Sequence, residues 1–361
     1  MSKTFKWLLV IGAIFLAVGI ALFCVALSAV NWDFSVLSDT KIEQKTYREP
    51  TDASFDRVEL YFGNADIEIY FTEDIDTLTV EYPQLTDQKG RAKNEVTLTE
   101  EENGITMIEK MIWHRNLFSV FGFADPKVKV YLPMERTYHL AIFSDNGAIT
   151  VETNNDKDEN GNPIPAREGF QASYVHLQSD NGSIRFSDTS YIACQGVFHC
   201  RTNNGRISLG KVDCESLYAE TDNGEIVLYG GSVTRDVKLL SDNGAIRING
   251  DLRAATLEIE NDNGMTYSCG ALTVDRISVE NDNGKISLQG SVNATEIFIE
   301  SSNGDIHACV VGNRSDYSID VDTDNGSCNV SNQSGGSRRM KLESDNGDIQ
   351  IVFLGESYVA K

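Results

Sequence analysis

Apolar and polar residues alternate through most of this chain, and from about residue 141 the alternation is interrupted at regular intervals by Asn-Gly. The pairs are Asn146-Gly147, Asn181-Gly182, Asn204-Gly205, Asn223-Gly224, Asn243-Gly244, Asn263-Gly264, Asn283-Gly284, Asn303-Gly304, Asn325-Gly326 and Asn346-Gly347; from Gly224 to Gly304 the step is always 20 residues. Counted from each glycine, positions −7 and −5 are apolar, as in Val237 and Leu239, Leu257 and Ile259, or Ile277 and Val279. Position −3 is Ser, Thr or Asn, and positions +2 and +4 are again mostly apolar, as in Ile246 and Ile248. Period-two alternation on both sides of a turn predicts two strands per unit, each with one face inward. A second glycine at +6 (Gly230, Gly250, Gly270, Gly290), followed by Leu252, Leu272 or Val292, predicts another corner and a short third side.

Two architectures fit this parity. Asn-Gly is the strongest two-residue hairpin signal, because both residues accept φ > 0. The alternative is a β-solenoid in which Asn-Gly marks one corner of every coil. Equal unit length and a polar residue at one fixed inward phase favour the solenoid, where like side chains stack about 4.8 Å apart and Asn or hydroxyl rows hydrogen-bond along the stack. The units at Gly264 (Thr266, Ser268) and Gly326 (Cys328) carry the weakest inward positions and should be the softest coils. Residues 54–140 break the period but still alternate, and read as irregular first coils and an N-terminal cap. Residues 154–169 are polar and read as an inserted surface loop.

The N-terminus changes the picture from a free solenoid to an anchored one. Trp7 to Val30 is a run of 24 uncharged residues, long enough to cross a hydrocarbon core of about 30 Å. Lys3 and Lys6 precede it and Asp33 and Asp39 follow, which orients residues 1–6 to the cytoplasm and the bulk of the chain outside. A cleaved signal peptide would normally have a shorter apolar stretch, and Phe23 before Cys24 argues against a lipoprotein. The expected organisation is a cytoplasmic N-terminus (1–6), a single-pass anchor in the cell membrane (7–30), a linker (31–53), an N-terminal β region (54–140), solenoid repeats (141–355) and a tail (356–361).

Charge narrows the partners. Beyond the two N-terminal lysines stand 29 basic and 54 acidic residues. That balance excludes nucleic acid, whose phosphates demand clustered Lys and Arg, and keeps a long β array soluble. Six cysteines lie outside the apolar run: Cys194, Cys200, Cys214, Cys269, Cys309 and Cys328. Cys269 and Cys309 share a phase but lie two units apart, too far for a disulfide, and Cys200 and Cys328 occupy apolar positions. Buried free thiols acting as small hydrophobes is the favoured reading.

The Phe55–Ile69 stretch with its Gly-Asn-Ala-Asp, Val-Tyr-Leu-Pro at 130–133, and Ser-Asp-Asn-Gly-Ala-Ile at 144–149 and 241–246 resemble the DUF4097 family of bacterial candidate adhesins. The resemblance covers roughly residues 54–355. It implies a membrane-anchored β-solenoid at the cell surface, in a family with no established catalytic residues.

Candidate chemistry is sparse. Asp precedes Asn-Gly in eight units, and Asp222, Asp242, Asp262 and Asp282 form an unbroken run. The turn itself accounts for such a row, since Asp caps backbone amides, with Asn223-Gly224, Asn243-Gly244, Asn263-Gly264 and Asn283-Gly284 as its structural core. Hard cations such as Ca²⁺ are the functional alternative. The aromatic segment around Trp113, Phe118, Phe121 and Phe123 is either a cap over the solenoid end or a partner patch. β-Helices can host polysaccharide-active enzymes, but the five histidines fall at unrelated phases and no nucleophile or metalloprotease motif is present. The sequence therefore points to a non-catalytic module of the cell envelope that binds, adheres or scaffolds, with an accessory or sensor subunit of envelope-stress membrane proteins as the alternative. It calls for no cofactor.

Overall fold

The computed structural model describes residues 40–355 apart from 74, 113–125, 153–169 and 188–189, together with helical residues 12, 15–22, 24–25 and 28–29. No helix among the described residues is long and apolar enough to cross a membrane. The chain divides into two compact units. The smaller comprises residues 1–43, 84–95 and 111–125. It contains a turn in which Asp87 accepts from the amides of Lys89 and Arg91 and from the Arg91 side chain.

The larger unit, residues 44–83, 96–110 and 126–361, is a parallel β-solenoid. Each coil has three sides. The strand before Asn-Gly is the first, for example Asp236–Ser241, which pairs in parallel with Ser216–Thr221 of the preceding coil. The short strand after it is the second, for example Ile246–Ile248, in register with Ile226–Leu228. The third follows the second glycine: Gly231, Leu252, Leu272 and Val292 align in succession. Inward residues from all three sides meet in one continuous core that includes Val237, Leu239, Ile246, Ile248 and Leu252, each with essentially no exposure. Burying such a side chain contributes about 1.5–3 kcal/mol, so the core rather than any single bond holds the stack.

Asn-Gly therefore marks a corner, as the solenoid reading requires, but not for the reason a hairpin would supply. None of the repeat glycines has positive φ; at the third-side corners Gly230 and the adjoining Gly231 do, at 99° and 136°. The glycine is needed because the coils approach too closely for a side chain. A Cβ on Gly244 would fall on the carbonyl oxygen of Gly224, and the same clash repeats from Gly147 to Gly347.

The order of coils in space departs from their order in the chain at both ends. Arg57–Phe62 lies between Gly104–Met111 and Tyr138–Ser144, so the second stretch of coil-forming chain occupies the outer level. At the far end Arg338–Ser344 lies between Glu296–Ser301 and Tyr317–Thr323. Arg338–Ser344 is thus covered on both edges, and the outermost level belongs to the segment before it. The outer edge of Tyr317–Thr323 is closed in turn by a bridge from Ile319 to Gln333 and by the Val321 amide donating to Asn332 Oδ1. Unpaired edges invite association, and here both ends are folded back on themselves.

Part of the stretch read as linker is structured. Thr40–Arg48 is a strand, and Glu49 is buried. Its carboxylate accepts from the Phe55 amide, from the Leu78 amide at 3.0 Å and from Arg136 Nη1 at 2.8 Å. A buried carboxylate is tolerable only when so fully paired. The first coil strand is Arg57–Phe62, within the stretch read as irregular first coils.

Candidate binding surface

At the Asn-Gly corner three rows run along the solenoid. From Ser179 to Asn281 the inward Ser, Thr or Asn at −3 accepts from the glycine amide of its own turn and donates to the glycine carbonyl of the preceding coil. Asn261 does both, with Gly264 N at 2.8 Å and Gly244 O at 3.0 Å. The asparagines form an amide ladder: Asn243 Nδ2 donates to Asn223 Oδ1 at 2.9 Å, Asn263 to Asn243 at 3.0 Å and Asn283 to Asn263 at 2.9 Å. The ladder starts at Asn64, outside the repeat seen in the sequence, and ends at Asn325.

Asp222, Asp242, Asp262 and Asp282 lie beside this ladder, one per coil, the first half-buried and the other three exposed. Partial burial and the neighbouring Asp222 and Asp262 raise the pKa of Asp242 above the usual carboxylate value. Among the described residues, no group of three or more His, Cys, Asp or Glu is arranged to hold a metal ion. Trp113, Phe118, Phe121 and Phe123 lie outside the described residues.

The outward face of the first side carries a feature that the sequence reading missed. His139, His176 and His199 come together there with aromatic rings. His139 stacks on Tyr174 at 4.6 Å, His176 on His199 at 4.7 Å and Tyr61 on Phe143 at 4.7 Å. Edge contacts join Phe143 to His176 and His199 to Tyr218. Ile108, 48% exposed, extends the strip beside Tyr61. The three imidazoles have pKa values below the ordinary one, chiefly through burial, with Arg57 acting on His139, His199 on His176 and Arg201 on His199. His176 and His199 in fact share one phase, six residues before Gly182 and Gly205, while His139 lies eight before Gly147. The signal available was parity: all three histidines fall on outward positions of strands.

Further along the same face the strip gives way to charge. Glu260, Glu280, Glu300, Glu343 and Asp322 occupy one column in consecutive coils. Burial together with Glu343 and Glu280 raises the pKa of Glu300. Lys238 bridges Glu258 at 2.8 Å and Glu260 at 3.2 Å, and Arg276 and Arg339 flank the Phe298 ring. One sheet face therefore has an aromatic, neutral half and an acidic half.

The inward cysteines are unremarkable thiols. Cys194, Cys200 and Cys214 are buried and free, Cys309 and Cys328 are half-buried, and Cys269 is exposed. Burial pushes the Cys214 thiol up to about 12 and raises that of Cys194.

Against known proteins, the family described as Toastrack DUF4097 matches residues 55–265. The chain belongs to this family. No curated protein matches it. Among solved structures, a candidate adhesin from Parabacteroides distasonis shares 14% identity, with 87% of this chain and 98% of that one covered and a TM-score of 0.41. A candidate adhesin from Bacteroides fragilis also shares 14%, covering 86% and 97%, with a TM-score of 0.33. A candidate cell adhesion protein from Clostridium sporogenes shares 10%, covering 87% and 100%, with a TM-score of 0.21. The fold assignment rests on the strand register, not on these similarities.

Proposed function

We propose that this chain is a membrane-anchored, extracytoplasmic binding module of the cell envelope, without catalytic activity of its own. The observation that carries the reading is the two-part outward face, with its aromatic-histidine strip at one end and its carboxylate column at the other. A rigid parallel sheet holds these groups at coil spacing without any moving part, which suits recognition of an extended surface polymer or protein. Among the described residues no histidine is hydrogen-bonded to an Asp or Glu, so none is set up as a general base in the usual way.

Anchoring rests on the Trp7–Val30 run and on the apolar side chains that its helical residues expose, among them Phe15 at 73% and Leu22 at 66%. Only nine residues, 31–39, separate that run from the strand Thr40–Arg48, a span of at most about 30 Å when extended. The anchor is therefore closely tethered to folded chain.

The test is co-sedimentation of the full chain, in detergent, with isolated cell walls, in buffers containing Ca²⁺ or EDTA. Saturable binding supports the envelope module, and its loss in EDTA assigns the Asp222–Asp282 row to cation bridging. Absence of binding in both buffers overturns the proposal and turns the search to membrane-protein partners.

A further inference from the structure

Asparagine followed by glycine is the most labile dipeptide toward deamidation, and this chain repeats it at ten corners of the solenoid. The reaction requires the glycine nitrogen to shed its proton and attack the asparagine side-chain carbon. The new C–N bond closes a succinimide and expels ammonia, and water then opens the ring to aspartate or isoaspartate. No electrons are exchanged and water is the only co-reactant. Two conditions must be met: a glycine N–H free to ionise and an asparagine side chain free to rotate.

Eight turns meet neither condition. The amides of Gly147, Gly182, Gly205, Gly224, Gly244, Gly264, Gly284 and Gly304 donate to the −3 side-chain oxygen at 2.7–3.0 Å. Their asparagines both donate and accept along the ladder; Asn303, for instance, donates to Asn283 and accepts from Asn346. Each glycine also packs on the carbonyl of its neighbour in the stack.

Asn325-Gly326 shares the close packing, on the Gly347 carbonyl, but differs in its hydrogen bonds and its exposure. It belongs to the outermost level, beyond Arg338–Ser344. Asn325 donates to Asn346 at 3.0 Å, but among the described residues nothing donates to its own Oδ1. The Thr323 hydroxyl, which occupies the −3 position, has no partner. Gly326 is exposed, whereas Gly147, Gly182, Gly205, Gly224, Gly244, Gly304 and Gly347 are buried. Asn346-Gly347 is intermediate: Ser344 Oγ is also unpartnered, yet Gly347 is buried and Asn346 is held on both sides of the ladder.

From this we infer that Asn325 is the deamidation site of the repeat, and that the remaining ladder is chemically protected by its own hydrogen bonds. Conversion places a new carboxylate next to Asp324 in sequence and opposite Asn346 Oδ1, to which it can no longer donate. It also removes the amide that caps the ladder, leaving Asn346 as the next end. The inference does not depend on the binding role proposed above.

The experiment is peptide mapping by mass spectrometry of the full chain after prolonged incubation at mildly alkaline pH, with a parallel sample unfolded in urea. In the folded protein Asn325 should convert several times faster than Asn223, Asn243, Asn263, Asn283 and Asn303, with Asn346 behind it. In urea all should convert at comparable rates. Equal rates in the folded protein, or an Asn325 as slow as Asn243, would overturn the inference. So would a urea sample that keeps the folded-state ranking, because the difference would then come from local sequence.

Discussion

Gly244 stands over the carbonyl oxygen of Gly224 with no room for a methyl group between them. The relationship recurs at every Asn-Gly corner and fixes the residue type there by close approach rather than by backbone angle.

Gly244→Ala should therefore destabilise the solenoid although alanine tolerates the backbone conformation. The obstacle is main chain on a neighbouring coil, which cannot move aside as a side chain would. Overpacking of this kind costs about 1–3 kcal/mol, and chemical denaturation followed by circular dichroism would measure it. A variant as stable as the parent would show that the corner can open without loss.

The opposite outcome is expected at Thr266. It stands in an otherwise aliphatic column, in register with Ile246 and Ile286, and its buried hydroxyl has no partner. An unsatisfied buried hydroxyl costs about 1–3 kcal/mol. Thr266→Val keeps the shape and removes the hydroxyl, so the midpoint of denaturation should rise.

The histidine strip predicts how stability changes with pH. His139, His176 and His199 have folded-state pKa values below the ordinary 6.5, so the unfolded chain binds their protons more readily. Their contribution is complete above about pH 6.5 and is lost as pH falls through that value toward the depressed ones. Asp242 and Glu300 act in the opposite sense in a more acidic window. Their raised pKa values mean that repulsion weakens the fold above those values and is relieved below them. Melting temperature should decline from pH 7 toward pH 5.5, and His176→Phe with His199→Phe should flatten the decline.

Thiol reactivity separates the cysteines by burial. In the native protein a thiol reagent should label exposed Cys269 first and leave Cys194, Cys200 and Cys214 intact until denaturant is added. Reaction follows the thiolate, and burial raises the pKa of all three buried thiols. Rapid labelling of Cys200 without denaturant would contradict the described core.

How far the sequence reveals all this depends on whether a feature is local. The Asn-Gly corner, the inward −3 hydroxyl and the polar interior at Thr266 and Ser268 are written in a single unit, and the structure keeps them. The reason for the glycine is not, because the clashing carbonyl belongs to another coil. Asn64 joins the ladder with its pair reversed, Gly63-Asn64, and Ala65 standing where the other coils have glycine, so the repeat motif does not find it. The end coils escape for the same reason: nothing in residues 317–353 says that the later strand lies inside the earlier one. His176 and His199 share a phase counted from their glycines and pair directly in register, whereas His139 joins them only through its register partner Tyr174. Glu49 was hidden by its polarity, since its burial depends on donors remote in sequence, Leu78 and Arg136, beside the nearer Phe55 amide.

The central claim is that the outward face of the first side is the binding surface, and a single comparison tests it most directly. Cell-wall binding of the full chain would be measured beside His176→Ala/His199→Ala and Glu280→Gln/Glu300→Gln, after circular dichroism has shown both variants folded. All four substituted residues point away from the core. The account predicts that at least one pair of substitutions weakens binding several-fold. Unchanged affinity in both folded variants, with the parent still binding, would contradict it and place recognition elsewhere on the chain.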